Sequence, residues 1–153
     1  MSFVLGSSKA RDALGQADAI SRSQAVIEFN MDGTIVTANE NFLDAMGYRL
    51  SDIVGKRHAM FVEPGVRDSA EYHAFWADLN LGKYKAGEFK RVGKDGREVW
   101  IQASYNPILG AGGKPIKVVK LASDITAQKI RSMEDAGKID AILRSLIFSQ
   151  IKI

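Results

Sequence analysis

Gly93-Lys94-Asp95-Gly96-Arg97-Glu98-Val99-Trp100-Ile101-Gln102-Ala103-Ser104-Tyr105-Asn106-Pro107-Ile108 is the stretch that decides how this chain folds. Gly93 to Gly96 supplies the glycines and aspartate that tight hairpin turns need, because such turns place residues in left-handed backbone conformations. Beyond the turn the residues alternate. Val99, Ile101, Ala103 and Tyr105 share one face of an extended strand, and Trp100, Gln102, Ser104 and Asn106 share the other. Before the turn, Lys85 to Val92 also alternates, with Phe89 and Val92 among polar residues. Gly110-Ala111-Gly112-Gly113-Lys114-Pro115 makes a second turn, and Ile116 to Ala122 is the last strand. Three antiparallel strands therefore end the folded body.

Upstream lies a second β unit. Ala25 to Phe29 reads as a strand, Asp32-Gly33 as a turn and Thr34 to Thr37 as the returning strand. The middle of the chain is helical and irregular. Asn39 caps a short helix carrying Phe42, Leu43 and Met46, ended by Gly47. Ser51 caps a second turn that stops at Gly55, and Arg57 to Val62 is another, ended by Glu63-Pro64-Gly65. Ser69 caps a longer helix with Tyr72, Phe75, Trp76 and Leu79 on its apolar face, ended by Gly82. Strands, short helices and then strands again describe an α+β fold: a five-stranded antiparallel sheet with short helices on one face.

Amphipathic helices flank this body. Ala10, Ala13, Leu14, Ala17 and Ile20 give an apolar stripe over residues 8–20. Asp124 caps a second helix bearing Ile130, Met133, Ile139, Ile142, Leu143 and Leu146. The two ends also match each other. In residues 15–23 and 137–145, Gly, Asp, Ala, Ile, Arg and Ser recur in the same order and spacing. Such recurrence is the mark of a tandem array. It divides the chain into a helical cap and linker at 1–22, a domain at 23–126, and an outgoing helix at 127–153 that starts a second repeat. Leu146 to Ile153 departs from Gln24 to Met31, so these residues form a stray strand or a helix end.

The composition is globular, with 46% hydrophobic and 25% charged residues, and the net charge is only +3. Basic residues are scattered among acidic ones, which argues against a nucleic-acid surface. There is no cysteine, which removes disulfides, thiolate metal sites and thiol nucleophiles. The apolar runs are too short to span a bilayer, and the N-terminus lacks the pattern of a signal peptide. These features fit a soluble cytoplasmic module. Gly110 to Lys114 lacks phosphate-loop spacing, and Pro115 stands where that loop needs Ser or Thr. There is no catalytic triad, paired-carboxylate site or metal cluster, so an enzyme is not expected.

Four segments together resemble a PAS sensor domain of the kind found in bacterial methyl-accepting chemotaxis receptors, including aerotaxis-type ones, and in related sensory proteins. Asn39-Glu40-Asn41-Phe42 with Gly47-Tyr48 is similar to the family's Asn-x-x-Phe…Gly-Tyr helix. Ile53 to His58 resembles its following turn, and Gly93 to Ile108 its hairpin and long central strand. Val118 to Thr126 resembles its last strand and Asp124-Ile125-Thr126 its exit motif. The likeness covers about residues 20–126.

The resemblance implies a sensory module that binds a small ligand or cofactor. His58 is placed where relatives ligate haem iron or line a flavin site; otherwise it is a partly exposed structural histidine. Haem b, a non-covalent flavin or no cofactor at all stay open. A flavin–cysteine adduct is excluded, since there is no cysteine. Asn39 lies near a polar flavin contact of aerotaxis-type relatives, and it is also an ordinary helix cap. Trp76 and Trp100 are candidates to line a pocket between helix and sheet, or are plain core. Residues 117–122, in the last strand, offer no tryptophan and no obvious donor, so Gln102, Ser104 and Asn106 are the alternatives. His73 falls on a polar helix side. Asp124, with Thr126, is expected to pair with a basic residue of the core and pass a signal into the outgoing helix. The implied partners are a downstream signalling domain and a second copy, dimerising through the flanking helices. The alternative is a cofactor-free dimerisation and relay module in a tandem PAS array.

Overall fold

Backbone is described for residues 2–151 and side chains for residues 7–148 in a computed structural model. The deciding hairpin forms as expected: β3 (Lys85–Val92) pairs antiparallel with β4 (Glu98–Leu109), which pairs antiparallel with β5 (Pro115–Asp124). In the turn, Asp95 takes a positive φ of 64° and Gly93 N–H donates to the Arg97 carbonyl at 2.8 Å. Gly93 must be glycine for a packing reason. A Cβ there would stand 2.9 Å from the Met46 carbonyl oxygen of the neighbouring helix.

The first hairpin is β1 (Ala25–Phe29) with β2 (Ile35–Ala38), and β1 also pairs with β5. The sheet order is β2-β1-β5-β4-β3, so the two hairpins meet at the centre through the strand formed last in sequence. The helices between the two hairpins pack on one face. Phe42, Leu43 and Met46 of α2 (Glu40–Met46), Ile53 of α3 (Leu50–Ile53), Phe61 of a 3₁₀ turn (His58–Phe61) and Leu79 bury against Ile27, Phe29, Val99, Ile101, Tyr105 and Val118 of the sheet. Leu79 belongs to α5 (Ala70–Asn80), capped by the Ser69 hydroxyl on Tyr72 N–H. Gly47 ends α2 at φ 80°, its N–H returning to the Leu43 carbonyl.

Three local expectations need correction. The start of α3 is Arg49, where Asp52 reaches back to accept the Arg49 N–H at 3.0 Å; Ser51 is inside the turn. Glu63-Pro64-Gly65 does not only end a turn but opens α4 (Pro64–Arg67), because proline is preorganised for a first helical position. On β3 the inward residues are Phe89 and Arg91, not Val92: Arg91 pairs opposite the inward Val99 and is 7% exposed.

The flanking helices are longer than their apolar stripes suggested. α1 spans Ser2–Ser23 and α6 spans Thr126–Ile151. Both matched segments, 15–23 and 137–145, are helical. Leu146 to Ile151 continue α6 and form no strand, and residues 152–153 lie outside the described residues. Leu14, Ile130, Met133, Ile139, Ile142 and Leu143 stand exposed. Among the described residues no helix is long and apolar enough to cross a membrane.

Candidate functional site

Three polar or charged side chains are buried among the described residues: His58, Arg91 and Lys120, none of them an acid. They meet in the interior between helices and sheet. His58 is 1% exposed, not partly exposed as a structural surface histidine would be. The 3₁₀ turn holds it there because its backbone N–H donates to the Gly33 carbonyl at 2.9 Å, and Thr34 bridges to Arg57. Its ring is edge-on to Phe29 at 5.3 Å and to Trp76 at 5.5 Å, and stacks on Tyr72 at 5.8 Å.

Both ring nitrogens are engaged. Nδ1 lies 2.8 Å from the Tyr72 hydroxyl and Nε2 lies 2.9 Å from the Tyr105 hydroxyl. Arg91 Nη2 donates to the same Tyr105 hydroxyl at 3.1 Å. One proton arrangement satisfies the chain: Arg91 donates to Tyr105, Tyr105 donates to Nε2, and Nδ1–H donates to Tyr72. Burial, reinforced by the charges of Lys120 and Arg91, holds His58 well below the ordinary histidine range, so it is neutral here. Burial also raises the Tyr105 hydroxyl against the lowering influence of Arg91.

Lys120 sits opposite Tyr105 in the β4–β5 register and is 1% exposed. Its ammonium lies over the rings of Tyr105 at 4.9 Å and Phe42 at 5.7 Å. Burial, then Arg91, pushes the amine well below the ordinary lysine range. Arg91 lies over the Phe89 ring at 4.8 Å, and its Nε is buried and donates to nothing. A cavity of about 250 Å³ opens beside this cluster, lined by His58, Tyr72 and Trp76 inside and by Asp32, Arg57 and Arg67 at its rim.

The other expected site residues are elsewhere. Trp100, Gln102 and Ser104 point to the opposite face of the sheet from the buried Val99, Ile101, Ala103 and Tyr105, as strict alternation requires. Trp76 and Trp100 therefore do not share a pocket. Trp100 lies under the Lys129 ammonium at 4.9 Å, which also pairs with Glu88 at 2.6 Å. Ser104 Oγ accepts from Asn106 Nδ2 at 3.0 Å. Asn39 is a structural knot: Oδ1 accepts from Phe42 N and Val26 N, and Nδ2 donates to the Ser21 and Gln24 carbonyls. His73 is exposed. The last strand, expected to lack a donor, carries Lys120 inward; Val118, Lys120 and Ala122 share the buried parity.

Asp124 stands at the end of β5 and organises the exit. Its Oδ1 accepts from Thr126 N at 2.9 Å and Thr126 Oγ1 at 2.6 Å. Thr126 Oγ1 in turn accepts from Trp100 N at 3.0 Å, and Ile125 N donates to the Trp100 carbonyl at 2.8 Å. Among the described residues Asp124 makes no ion pair, so its tie to the sheet is this hydrogen-bonded loop and not a salt bridge to a core cation.

The residues as packed do not fit a porphyrin or a flavin. An iron ligand needs a free ring nitrogen, and both of His58 are taken. The adjoining cavity, at about 250 Å³, is also below the roughly 300–1,000 Å³ typical of pockets for larger ligands. Among the described residues no cluster of His, Cys, Asp or Glu gathers to hold a metal.

A family profile described as "PAS fold" matches residues 35–122. The chain is 47% identical over 119 residues to the biofilm dispersion protein BdlA of Pseudomonas aeruginosa, covering 78% of this chain and 28% of that protein. It is 26% identical over 109 residues to the aerotaxis receptor of Escherichia coli, covering 71% of this chain and 21% of that protein. The chain thus spans less than a third of each relative's length. Among solved structures, a PAS domain from Colwellia psychrerythraea superposes with a TM-score of 0.65 at 24% identity, over 75% of this chain and 98% of that one. An RNA-binding light-oxygen-voltage receptor superposes with a TM-score of 0.67 at 17% identity, over 87% of this chain and 38% of that one.

Proposed function

The chain belongs to the PAS fold family, and from that membership we propose that it is the sensing module of a larger chemotaxis-type signalling protein. A small ligand enters the interior beside His58, alters the packing of β4 and β5, and shifts α6 relative to the sheet. The observation that carries this reading is the shared use of β4. Tyr105 of that strand belongs to the buried cluster, while the Trp100 backbone, on the same strand, holds Ile125 and Thr126 at the start of α6. A ligand moves such a junction only through unequal affinity for two arrangements.

The module works with partners rather than by catalysis. A downstream signalling domain follows α6, and a second copy covers the exposed apolar stripes of α1 and α6, which carry Leu14, Ile139, Ile142 and Leu143. The relatedness to an aerotaxis receptor and a biofilm dispersion protein supports such an output.

The test is Asp124→Ala in the parent receptor. It removes the acceptor of both Thr126 bonds while leaving the buried cluster untouched. Output should lose its response to ligand while the ligand's affinity for the module changes less than threefold. A variant that signals like the wild type would refute the relay. The cofactor-free relay reading is favoured by the engagement of both His58 ring nitrogens, and purified protein without a visible absorption band is its expected result as well. Calorimetric detection of a small ligand then separates the two.

A further inference from the structure

We propose that the interior cluster of Arg91, Lys120, Tyr105 and His58 is a binding site for a small organic acid with an aromatic or similarly flat apolar body. The inference rests on the sensing role proposed above and names the ligand class of the same interior. Its first support is charge. Two basic side chains lie within the core, and no buried side chain among the described residues is acidic. Buried charges are ordinarily paired, because an unpaired one forfeits its hydration. Here Lys120 meets two ring faces and Arg91 meets one ring face, a hydroxyl and its neighbour's carbonyl. Arg91 Nε is left with no acceptor at all. A carboxylate answers that deficit in a way that neutral packing cannot, since the guanidinium edge presents paired donors to its two oxygens.

The second support is shape. The cavity beside His58 holds about 250 Å³; of the cluster only His58 lines it, so an acid seated there reaches Arg91 and Lys120 by turning His58 aside. An apolar cavity of about 150 Å³ is enough for a benzene-sized body. A single-ring acid therefore fits where a porphyrin does not. Tyr72, Trp76 and Phe61 supply flat apolar surface around His58. The third support is the approach. Arg57 and Arg67 line the mouth, and Asp32 is the one acid among the lining residues, so the mouth favours anions. Binding displaces the Tyr105 hydroxyl from Arg91 and turns His58 off Tyr105. That moves Tyr105, the residue of β4 that faces Lys120 on β5, four residues along the strands from the Ile101–Asp124 pair.

The experiment is isothermal titration calorimetry of the chain at pH 7 with benzoate, its neutral isostere benzamide, and inorganic phosphate. Benzoate should bind at least tenfold more tightly than benzamide and than phosphate. Lys120→Met and Arg91→Met should each weaken benzoate at least tenfold, and Lys129→Met, outside the cluster, should leave it unchanged. Equal binding of benzoate and benzamide, or no binding of either, overturns the proposal in the wild-type chain without need of any variant. Phosphate binding as tightly as benzoate overturns the aromatic class. Undiminished benzoate affinity in a folded Lys120→Met chain overturns the assignment of the site. A chain that ignores benzoate but loses output on Asp124→Ala refutes the acid and keeps the sensor. One that binds benzoate yet signals normally with Asp124→Ala refutes the relay and keeps the acid.

Discussion

Replacing Lys120 by methionine should make the ligand-free chain more stable, although it deletes a contact from the centre of the fold. Lys120 is 1% exposed and its amine lies over two aromatic faces with no acidic partner, so folding strips it of water and returns little. Exchanging buried charged groups for apolar ones of similar volume is worth about 1–4 kcal/mol. Against this stands the lost attraction to two rings, about 0.5–2 kcal/mol. Methionine keeps the unbranched shape, so repacking costs less than about 1.5 kcal/mol. At the midpoints of these ranges a net gain of about 0.5 kcal/mol remains, or roughly 1–2 °C in Tm for a chain of this length. Urea unfolding followed by circular dichroism should show a later midpoint with an unchanged slope. The pH dependence gives an independent signature. The amine is held well below the ordinary lysine value in the fold. Between its folded pKa and about 10.4, the unfolded chain binds the proton and the folded chain does not. Wild-type stability should therefore rise with pH through this window, by up to about 1.4 kcal/mol per unit, and fall as pH drops. The comparison belongs below pH 10, since Tyr72 and Tyr105 are raised above their ordinary value and oppose the trend beyond it. Lys120→Met should lose the rise between pH 8 and 10. A midpoint lower than wild type, or the same alkaline rise in the variant, would show that the lysine is not a buried, poorly compensated amine.

His58 is expected to make the fold acid-labile: it is held low when folded, so stability is full above about pH 6.5 and declines at up to about 1.4 kcal/mol per unit as pH falls below it. Thermal melts at pH 7.5 and 5.5 should differ in wild type and much less in His58→Gln; the depressed Asp32 and Asp78 titrate lower and do not enter this window. Asn39→Ala should cost about 2–4 kcal/mol in urea unfolding, because it removes the cap of α2 and the bonds to Val26, Ser21 and Gln24 together. Asn39→Asp keeps the accepting oxygen and loses the donors, so it should recover only part of that loss; full recovery would mean the ties to α1 and β1 carry no weight.

Much of the fold was legible because local chemistry and tertiary packing agree. The Gly93–Gly96 turn, the Asn39 and Ser69 caps and the parity of Val99, Ile101, Ala103 and Tyr105 all appear where their residue types require. The site was legible at His58 and at Trp76, which lines the cavity beside it. Arg91 and Lys120 were hidden by an ordinary presumption, that long basic side chains face water. The available signal was parity. Lys120 lies between Val118 and Ala122 at steps of two, and Arg91 lies two residues from Phe89. Trp100 misled for the complementary reason: its size suggested core, while the same alternation puts it on the outer face. Tyr72 and Tyr105 read as apolar, yet their hydroxyls decide which nitrogen of His58 carries the proton.

The two faces of the sheet explain how an event in the core can reach a helix outside it. The buried cluster lies under the helices, whereas the first turns of α6 touch the other side, with Lys129 over Trp100 and paired to Glu88. No side chain needs to cross the sheet for the two to communicate, because β4 and β5 carry both. Tyr105 and Lys120 form one cross-strand pair, and Ile101 and Asp124 form another four residues along, about 13 Å away at strand rise. A change in twist or spacing between these strands at the first pair is felt at the second through paired backbone. There Asp124, Thr126 and the Trp100 amide set the direction in which α6 departs. Basic side chains without an acidic partner in the core then serve a purpose that stability alone does not explain. On the proposal above, an anion held by Arg91 and Lys120 would act on the strand pair that also leads to the exit. Lys120→Met separates the two roles, since it should raise stability and lower anion affinity in the same protein.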